Sequence, residues 1–315
     1  MDAVLGQEDT ISFLRSKIKD PPHIIICGPT GVGKTMLANA WITEQLQSQG
    51  VTNPAHQTTM TLRLSSADDR GIAAIRQRLT EFVRRVRPVA NTTAWVLLDD
   101  ADNLPVVTQQ ALRRILELHV HQTRFCFVAQ SCEHFIEPIQ SRCVMLRCSP
   151  VDLETHGPTL LAREGGGIEV SEDSLNLMSG LCLGNARQFA IICKALQSTS
   201  HRSATDIQLL VNAPPVTQLL RLQDAIIQRD INAITECVLA LWSKGYSFED
   251  CIAMLEMVVR VYNTTLTADL QYVLQTCAEG HIFQILNRMT TLDLIAVLSG
   301  SASSSCLAEE IDLPD

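Results

Sequence analysis

His23, Ile24, Ile25, Ile26, Cys27 runs directly into Gly28, Pro29, Thr30, Gly31, Val32, Gly33, Lys34, Thr35, and the reading of this stretch decides the fold. Three β-branched residues in a row read as a buried strand, the glycines as a turn, and Met36 to Leu46 continues with helical periodicity. A glycine-rich loop in that context is a P-loop. Its glycines let successive backbone N–H groups curl around phosphate oxygens at a helix N-terminus. Lys34 supplies a mobile cation for the β and γ phosphates, and the hydroxyl of Thr35 suits Mg²⁺. The expectation is therefore a nucleotide cradle built from Gly28 to Thr35.

The bulk of the chain fits such a core. Its 315 residues, 46% of them apolar, predict two or three domains with a sizeable interior. A formal net charge of −9 excludes a wholly basic nucleic-acid binder and leaves room for a local basic face. The longest apolar run, Ile252 to Val261, is interrupted by Glu256 and Arg260, and no basic segment followed by an apolar one opens the chain. Neither a membrane span nor a signal peptide is expected. The eleven cysteines contain no CxxC pair, so they are expected as small buried hydrophobes of a reducing compartment, without zinc.

Outward from the P-loop, strand and helix alternate. Leu5, Ile11, Leu14 and Ile18 predict a short helix before the first strand, and Gln47 to Gln57, with Gly50 and Pro54, reads as a loop before a second strand at Thr59 to Leu64. A helix follows, with Ile72, Ile75, Leu79, Phe82 and Val83 on one face. Between Asp68 and Arg87 it carries Arg70, Arg76, Arg78, Arg84, Arg85 and Arg87 against Asp68, Asp69 and Glu81. Such a run is either a solvated helix face or a phosphate contact. Strand three, Ala94 to Leu98, delivers Asp99, Asp100 and Asp102 to its carboxyl end, where a P-loop protein needs a Mg²⁺-linked carboxylate and a residue that orients or deprotonates water. Asp99 fits the first role and Asp100 the second. An amphipathic helix over Val106 to Leu118, a strand over Arg124 to Ala129 ending at Gln130, and a strand over Val144 to Leu146 complete a parallel α/β domain through residue 148.

Beyond Pro150 only helices are expected: Val151 to Ala162, Ser171 to Leu181 and Ala186 to Gln197 as a small segment over 149–203. Val216 to Gln228, Ile231 to Ser243, Phe248 to Tyr262, Ala268 to Glu279 and Ile282 to Ser299 then form a second helical domain over 204–300. Residues 301–315, Ser-rich and acidic, read as a disordered tail.

Several segments together carry a family resemblance: GPTGVGKT (28–35), ADDRGI (67–72), LLDDAD (97–102), QQALRR (109–114), EPIQSRC (137–143), GNAR (184–187) and LWSKGYSFED (241–250). With them the chain resembles the small subunits of replication factor C, the AAA+ sliding-clamp loader. The resemblance implies an AAA+ α/β core, a helical lid and an all-α collar domain that packs subunits into a ring. It further implies ATP and Mg²⁺ as cofactors, other clamp-loader subunits in a hetero-pentamer, a PCNA-like sliding clamp and primer–template DNA as partners, and a nuclear location.

Residue by residue, the resemblance assigns Gly28, Pro29, Thr30, Gly31, Val32, Gly33, Lys34 and Thr35 to the phosphates, Thr35 and Asp99 to Mg²⁺, and Asp100 to the catalytic acid position. Gln130 takes the first sensor position, Arg187 the second, and Arg142 that of an arginine finger acting on the neighbouring subunit's ATP. Arg70, Arg76 and Thr108 lie at helix starts that track the DNA backbone in this family. Asp100 stands where the family has Glu, Gln130 where it has Asn and Ser65 where it has Asn, and the N-terminal Tyr-Arg-Pro segment near the adenine is absent. These departures bear on hydrolysis more than on binding. Three readings stay open: a hydrolysing clamp-loader subunit of the replication or checkpoint type, a nucleotide-holding structural subunit, and a free-standing AAA+ helicase or initiator.

Overall fold

The computed structural model describes residues 1, 4–65, 72–84, 92–118, 122–168, 170–198, 204–262, 268–285, 295 and 297–299. The chain divides into two compact units, one of Met1–Leu160 with Gly184–Ile191 and the other of Leu161–Leu183 with Ile192–Asp315.

The first unit runs α1 (Glu8–Ser16), β1 (His23–Cys27), α2 (Lys34–Ser48), α3 (Pro54–Met60), β2 (Thr61–Ser65), α4 (Ile72–Arg84) and β3 (Ala94–Asp99). A 3₁₀ turn (Ala101–Asn103), α5 (Val106–Leu118), β4 (Thr123–Ala129), α6 (Glu137–Gln140) and β5 (Cys143–Arg147) follow. All strand pairs are parallel, in the order β2-β3-β4-β1-β5. The central strands β1, β3 and β4 are nearly continuous apolar runs because helices cover them, whereas the edge strands β2 and β5 are partly exposed. Helix α2 packs on β1, β3 and β4, and there the edge of Trp41 meets Trp95 at 4.7 Å, a contact worth about 0.5–1.5 kcal/mol beyond its buried area.

The chain leaves β1 for the far edge at β2 and later crosses from β4 over β1 to β5, so the strand order reverses around β1. Such a reversal opens a crevice at the carboxyl ends of the strands, where open α/β sheets bind ligands. The P-loop, the Asp99 cluster and Gln130 all follow those carboxyl ends.

The structure differs from the sequence expectation over Gln47 to Gln57, where α3 begins. Pro54 occupies its first turn, where a missing N–H costs nothing, and the Asn53 side chain caps it by accepting from the Ala55 N–H at 2.9 Å.

The second unit is helical. Helices α7 (Leu153–Glu164) and α9 (Ala186–Gln197) contribute to both units, and α8 (Glu172–Cys182), α10 (Ala204–Val211), α11 (Val216–Gln228), α12 (Ile231–Trp242), α13 (Phe248–Tyr262) and α14 (Ala268–Ile285) lie in the second. Helix α11 packs on α12, α13 and α14, and α13 also packs on α8. Ser247 and Asp250 close a capping box at the start of α13: the Ser hydroxyl accepts from the Asp250 N–H at 3.1 Å and the Asp carboxylate accepts from the Ser247 N–H at 3.2 Å. Helix α10 was not expected from the sequence. The helix expected over Ile282 to Ser299 overlaps the end of α14, most of it falls outside the described residues, and so does the expected tail.

Candidate nucleotide site

Gly28 follows β1 and donates its N–H to the Gln130 carbonyl at 3.1 Å, while the Cys27 carbonyl accepts from the Cys148 N–H at 2.7 Å. A Cβ at Gly28 would lie 2.3 Å from the Cys148 carbonyl oxygen, so the loop's entry tolerates only glycine. Gly31 has φ +76°, and a Cβ there would meet the Asn185 side-chain oxygen at 1.8 Å. Asn185 caps α9 by accepting from the Gln188 N–H at 3.0 Å, and the Arg187 N–H donates to the Gly31 carbonyl at 3.2 Å. The start of α9, with Arg187, is thereby seated directly on the P-loop.

Lys34, the first residue of α2, donates its ammonium to the carbonyls of Gly28 at 2.8 Å and Pro29 at 2.7 Å. Burial pushes its pKa down, opposed by charges including those of Asp102 and Asp99. The next residue, Thr35, donates its hydroxyl to Asp99 at 3.1 Å. A hydroxyl and a carboxylate side by side, both hard oxygen ligands next to a phosphate cradle, fit the donor set Mg²⁺ uses.

The backbone at Asp100 is left-handed, φ +50° and ψ +43°, a conformation that Asp adopts more readily than most side chains. Beside it, Asp102 accepts from the Gln130 N–H at 2.8 Å and the Ser131 N–H at 3.1 Å. Asp102 therefore fixes the loop after β4, a role the sequence reading did not assign. Its signal was only its place in the LLDDAD run. Gln109 was also missed: buried to 1% exposure, it donates to the Leu104 carbonyl at 3.0 Å and the His134 carbonyl at 2.8 Å and accepts from the Ile136 N–H at 2.9 Å. This one amide ties α5 to the 3₁₀ turn before it and to the loop between β4 and α6.

The structure thus brings the P-loop, Thr35, Asp99, the Gln130 backbone and the Arg187 backbone together. Arg142 sits elsewhere, binding Glu117 of α5 at 2.7 Å and the Pro138 carbonyl at 2.8 Å. Glu117 also receives Arg113 at 3.1 Å, and the hydrogen bond from Arg113, followed by the Arg142 charge, holds its carboxyl below the usual range. A groove lined by Gln110, Arg113, Arg114, Glu117, Ile136 and Pro138 adjoins this pair.

Of the three residues expected at DNA-facing helix starts, Thr108 requires correction. It is 2% exposed on α5, turned into the core, and the exposed side chains at that helix start are the apolar Val106 and Val107. A phosphate contact from the Thr108 hydroxyl is therefore not available. Arg70 lies outside the described residues, and Arg76 lies on α4 with its side chain outside the description.

The cysteines follow the expectation of burial with one exception. Cys126, Cys148, Cys182, Cys193, Cys251 and Cys277 are buried free thiols, but Cys27 and Cys132 are joined as a disulfide with Cα atoms 6.1 Å apart.

A P-loop between a parallel strand and a helix, with an acid-tipped neighbouring strand at the sheet's reversal point, defines an AAA+ nucleotide-binding core. The model of the AAA domain matches residues 17–134. Thermotoga maritima RuvB mutants share the fold at a TM-score of 0.53 over 80% of this chain and 89% of theirs, at 15% identity. The replication factor C small subunit 2 of Pyrobaculum islandicum is 31% identical over 278 residues, covering 86% of this chain and 83% of the relative. The replication factor C small subunit of Picrophilus torridus is 35% identical over 204 residues, 63% of this chain and 61% of the relative. The chain belongs to the replication factor C small-subunit family.

Proposed function

We propose that this chain is an ATP-binding small subunit of a clamp loader, which helps open a ring-shaped sliding clamp and place it on primer–template DNA. The observation that carries the reading is the Thr35–Asp99 pair at 3.1 Å beside the Lys34 ammonium, at the carboxyl edge of a parallel sheet. Bound there, Mg²⁺ would supply charge neutralisation across the β and γ phosphates. Thr35 and Asp99 would hold it.

The chain's own residues do the rest. Backbone N–H groups of the loop orient the phosphates, and Lys34 exchanges its two carbonyl partners for phosphate oxygens. Asp100 orients water, Gln130 takes the sensor place on the loop that Asp102 holds, and Arg187 approaches from the start of α9. Arg142, bound to Glu117 rather than to the P-loop of its own chain, serves the neighbouring subunit's nucleotide. Arg70 and Arg76 supply the local positive charge for the DNA backbone within an acidic chain.

A nucleotide-holding reading is favoured by one observation: the carboxylate in the catalytic position is the short one of Asp100, on a left-handed backbone. A reconstituted complex in which only this chain keeps an intact P-loop, given clamp and primed DNA, separates the two. Single-turnover ATP hydrolysis with clamp loading is the expected result. Nucleotide retained without turnover would select the holding reading, and no retained nucleotide would overturn both.

A further inference from the structure

We propose that Cys27 and Cys132 are a reversible thiol–disulfide site, set by small-molecule disulfides of the glutathione class, that latches the loop after β4 to the entry of the P-loop. Cys27 is the last residue of β1, and Gly28 opens the P-loop. Cys132 lies two residues beyond Gln130, whose carbonyl accepts from the Gly28 N–H at 3.1 Å. The covalent bond therefore joins the same two segments that this backbone hydrogen bond joins. The Cα separation of 6.1 Å lies within the range a disulfide spans without backbone movement, and 105 positions of sequence separate the pair.

Both redox states have a place in the fold. In the reduced state the Cys27 thiol has an acceptor, the Leu146 carbonyl 3.5 Å away. The buried thiols elsewhere are poor competitors for oxidation, because burial pushes Cys148 to about 11 and Cys143, Cys182 and Cys277 to about 12. Within the pair the order of attack follows exposure: Cys27 is 4% exposed, whereas Cys132 is half-buried.

Cys132 loses its proton to solvent, and its thiolate attacks one sulfur of the external disulfide, whose S–S bond breaks and releases one small thiolate. Cys27 then loses its proton and attacks the Cys132 sulfur, breaking the mixed disulfide and releasing the second small thiolate. The two protein thiols are oxidised, the external disulfide is reduced to two thiols, and the two protons end on the released thiolates. A small dithiol reverses the sequence.

The consequence rests on the nucleotide reading above. Asp102 already holds the Gln130 and Ser131 N–H groups, and Gln140 holds the Cys132 carbonyl at 3.0 Å, so the bond fixes an ordered loop against the P-loop before ligand arrives. Pre-ordering lowers the cost of binding, and the oxidised chain should hold nucleotide about threefold tighter than the reduced one.

The test uses the full chain, reduced with a dithiol or equilibrated with oxidised glutathione. Intact mass and peptide mapping follow the bond, and titration with a fluorescent ATP analogue follows affinity. The expected result is loss of two hydrogens mapped to Cys27–Cys132, with tighter binding that dithiol reverses and that C132S, treated alike, does not show. A pair that stays reduced in oxidised glutathione overturns the proposal. Equal affinity in both mapped states overturns the latch alone, and absence of binding in both states overturns it together with the nucleotide reading.

Discussion

Gly31→Ala perturbs the one point where the P-loop and the start of α9 touch. The substituted Cβ would sit 1.8 Å from the Asn185 side-chain oxygen and 2.4 Å from its Cγ, so the amide has to leave. In leaving, it gives up the cap on the Gln188 N–H, worth about 1 kcal/mol. The left-handed backbone at φ +76° adds about 1–2 kcal/mol for a residue with a Cβ. The total is about 2–3 kcal/mol. Gly33→Ala is the control: its φ is +94°, but a Cβ there meets only Val4 at 3.9 Å and Met36 at 4.0 Å, so the backbone cost of about 1–2 kcal/mol stands alone. Trp41 and Trp95, both fully buried in the first unit, report its unfolding in urea by fluorescence. Gly31→Ala should unfold at lower urea than Gly33→Ala, by about 1 kcal/mol of stability. Equal midpoints would refute the reasoning, since Asn185 would then yield at no cost and the seat of α9 would not depend on Gly31.

Three further outcomes are expected. His23 is buried with its Nδ1 accepting from the Phe125 N–H at 3.1 Å, and burial, with Arg124 adding to it, lowers its pKa to about 4. The unfolded chain takes up a proton near pH 6.5, so stability is complete above that pH and falls by about 3 kcal/mol as pH drops from 6.5 towards 4. Urea unfolding of wild type and His23→Asn across that window should show a flatter profile in the variant; parallel profiles would contradict the assignment. Gln109→Ala leaves two carbonyls and an N–H without their partner and should cost about 3 kcal/mol in denaturant unfolding, with a loss under about 1 kcal/mol counting against the junction. Arg142→Ala in a complex where only the adjacent subunit's P-loop functions should lower turnover there by about 10³-fold or more, and wild-type turnover would sink the trans role.

Where chemistry is written in consecutive residues, the sequence was sufficient. The run from His23 to Thr35 specifies strand, loop and helix within thirteen neighbours, and Asp99 was legible because an apolar strand carries it. Helix α3 was misread because Gly50 and Pro54 are breakers inside an element but Pro54 is favourable in the first turn after the Asn53 cap. Thr108 was placed on a DNA-facing helix start, yet the rotation of α5 that buries Leu112 and Leu116 also turns Thr108 inward. Asp102, Gln109 and the Cys27–Cys132 pair act on partners 25 to 105 positions away, and no local pattern announces such contacts. Their roles are set by the strand order, which brings the ends of β1, β3 and β4 together.

The central claim is that this loop holds a nucleoside triphosphate through Lys34, with Thr35 and Asp99 on its metal. Equilibrium titration of the full chain with a fluorescent ATP analogue, with and without Mg²⁺, on wild type and Lys34→Ala, tests it most directly. The account predicts saturable binding by wild type that strengthens with Mg²⁺, and a loss of about 100-fold or more in the variant, in line with removing a charge-assisted contact of about 3 kcal/mol. Unchanged affinity in Lys34→Ala, or no saturable binding by wild type, would contradict it.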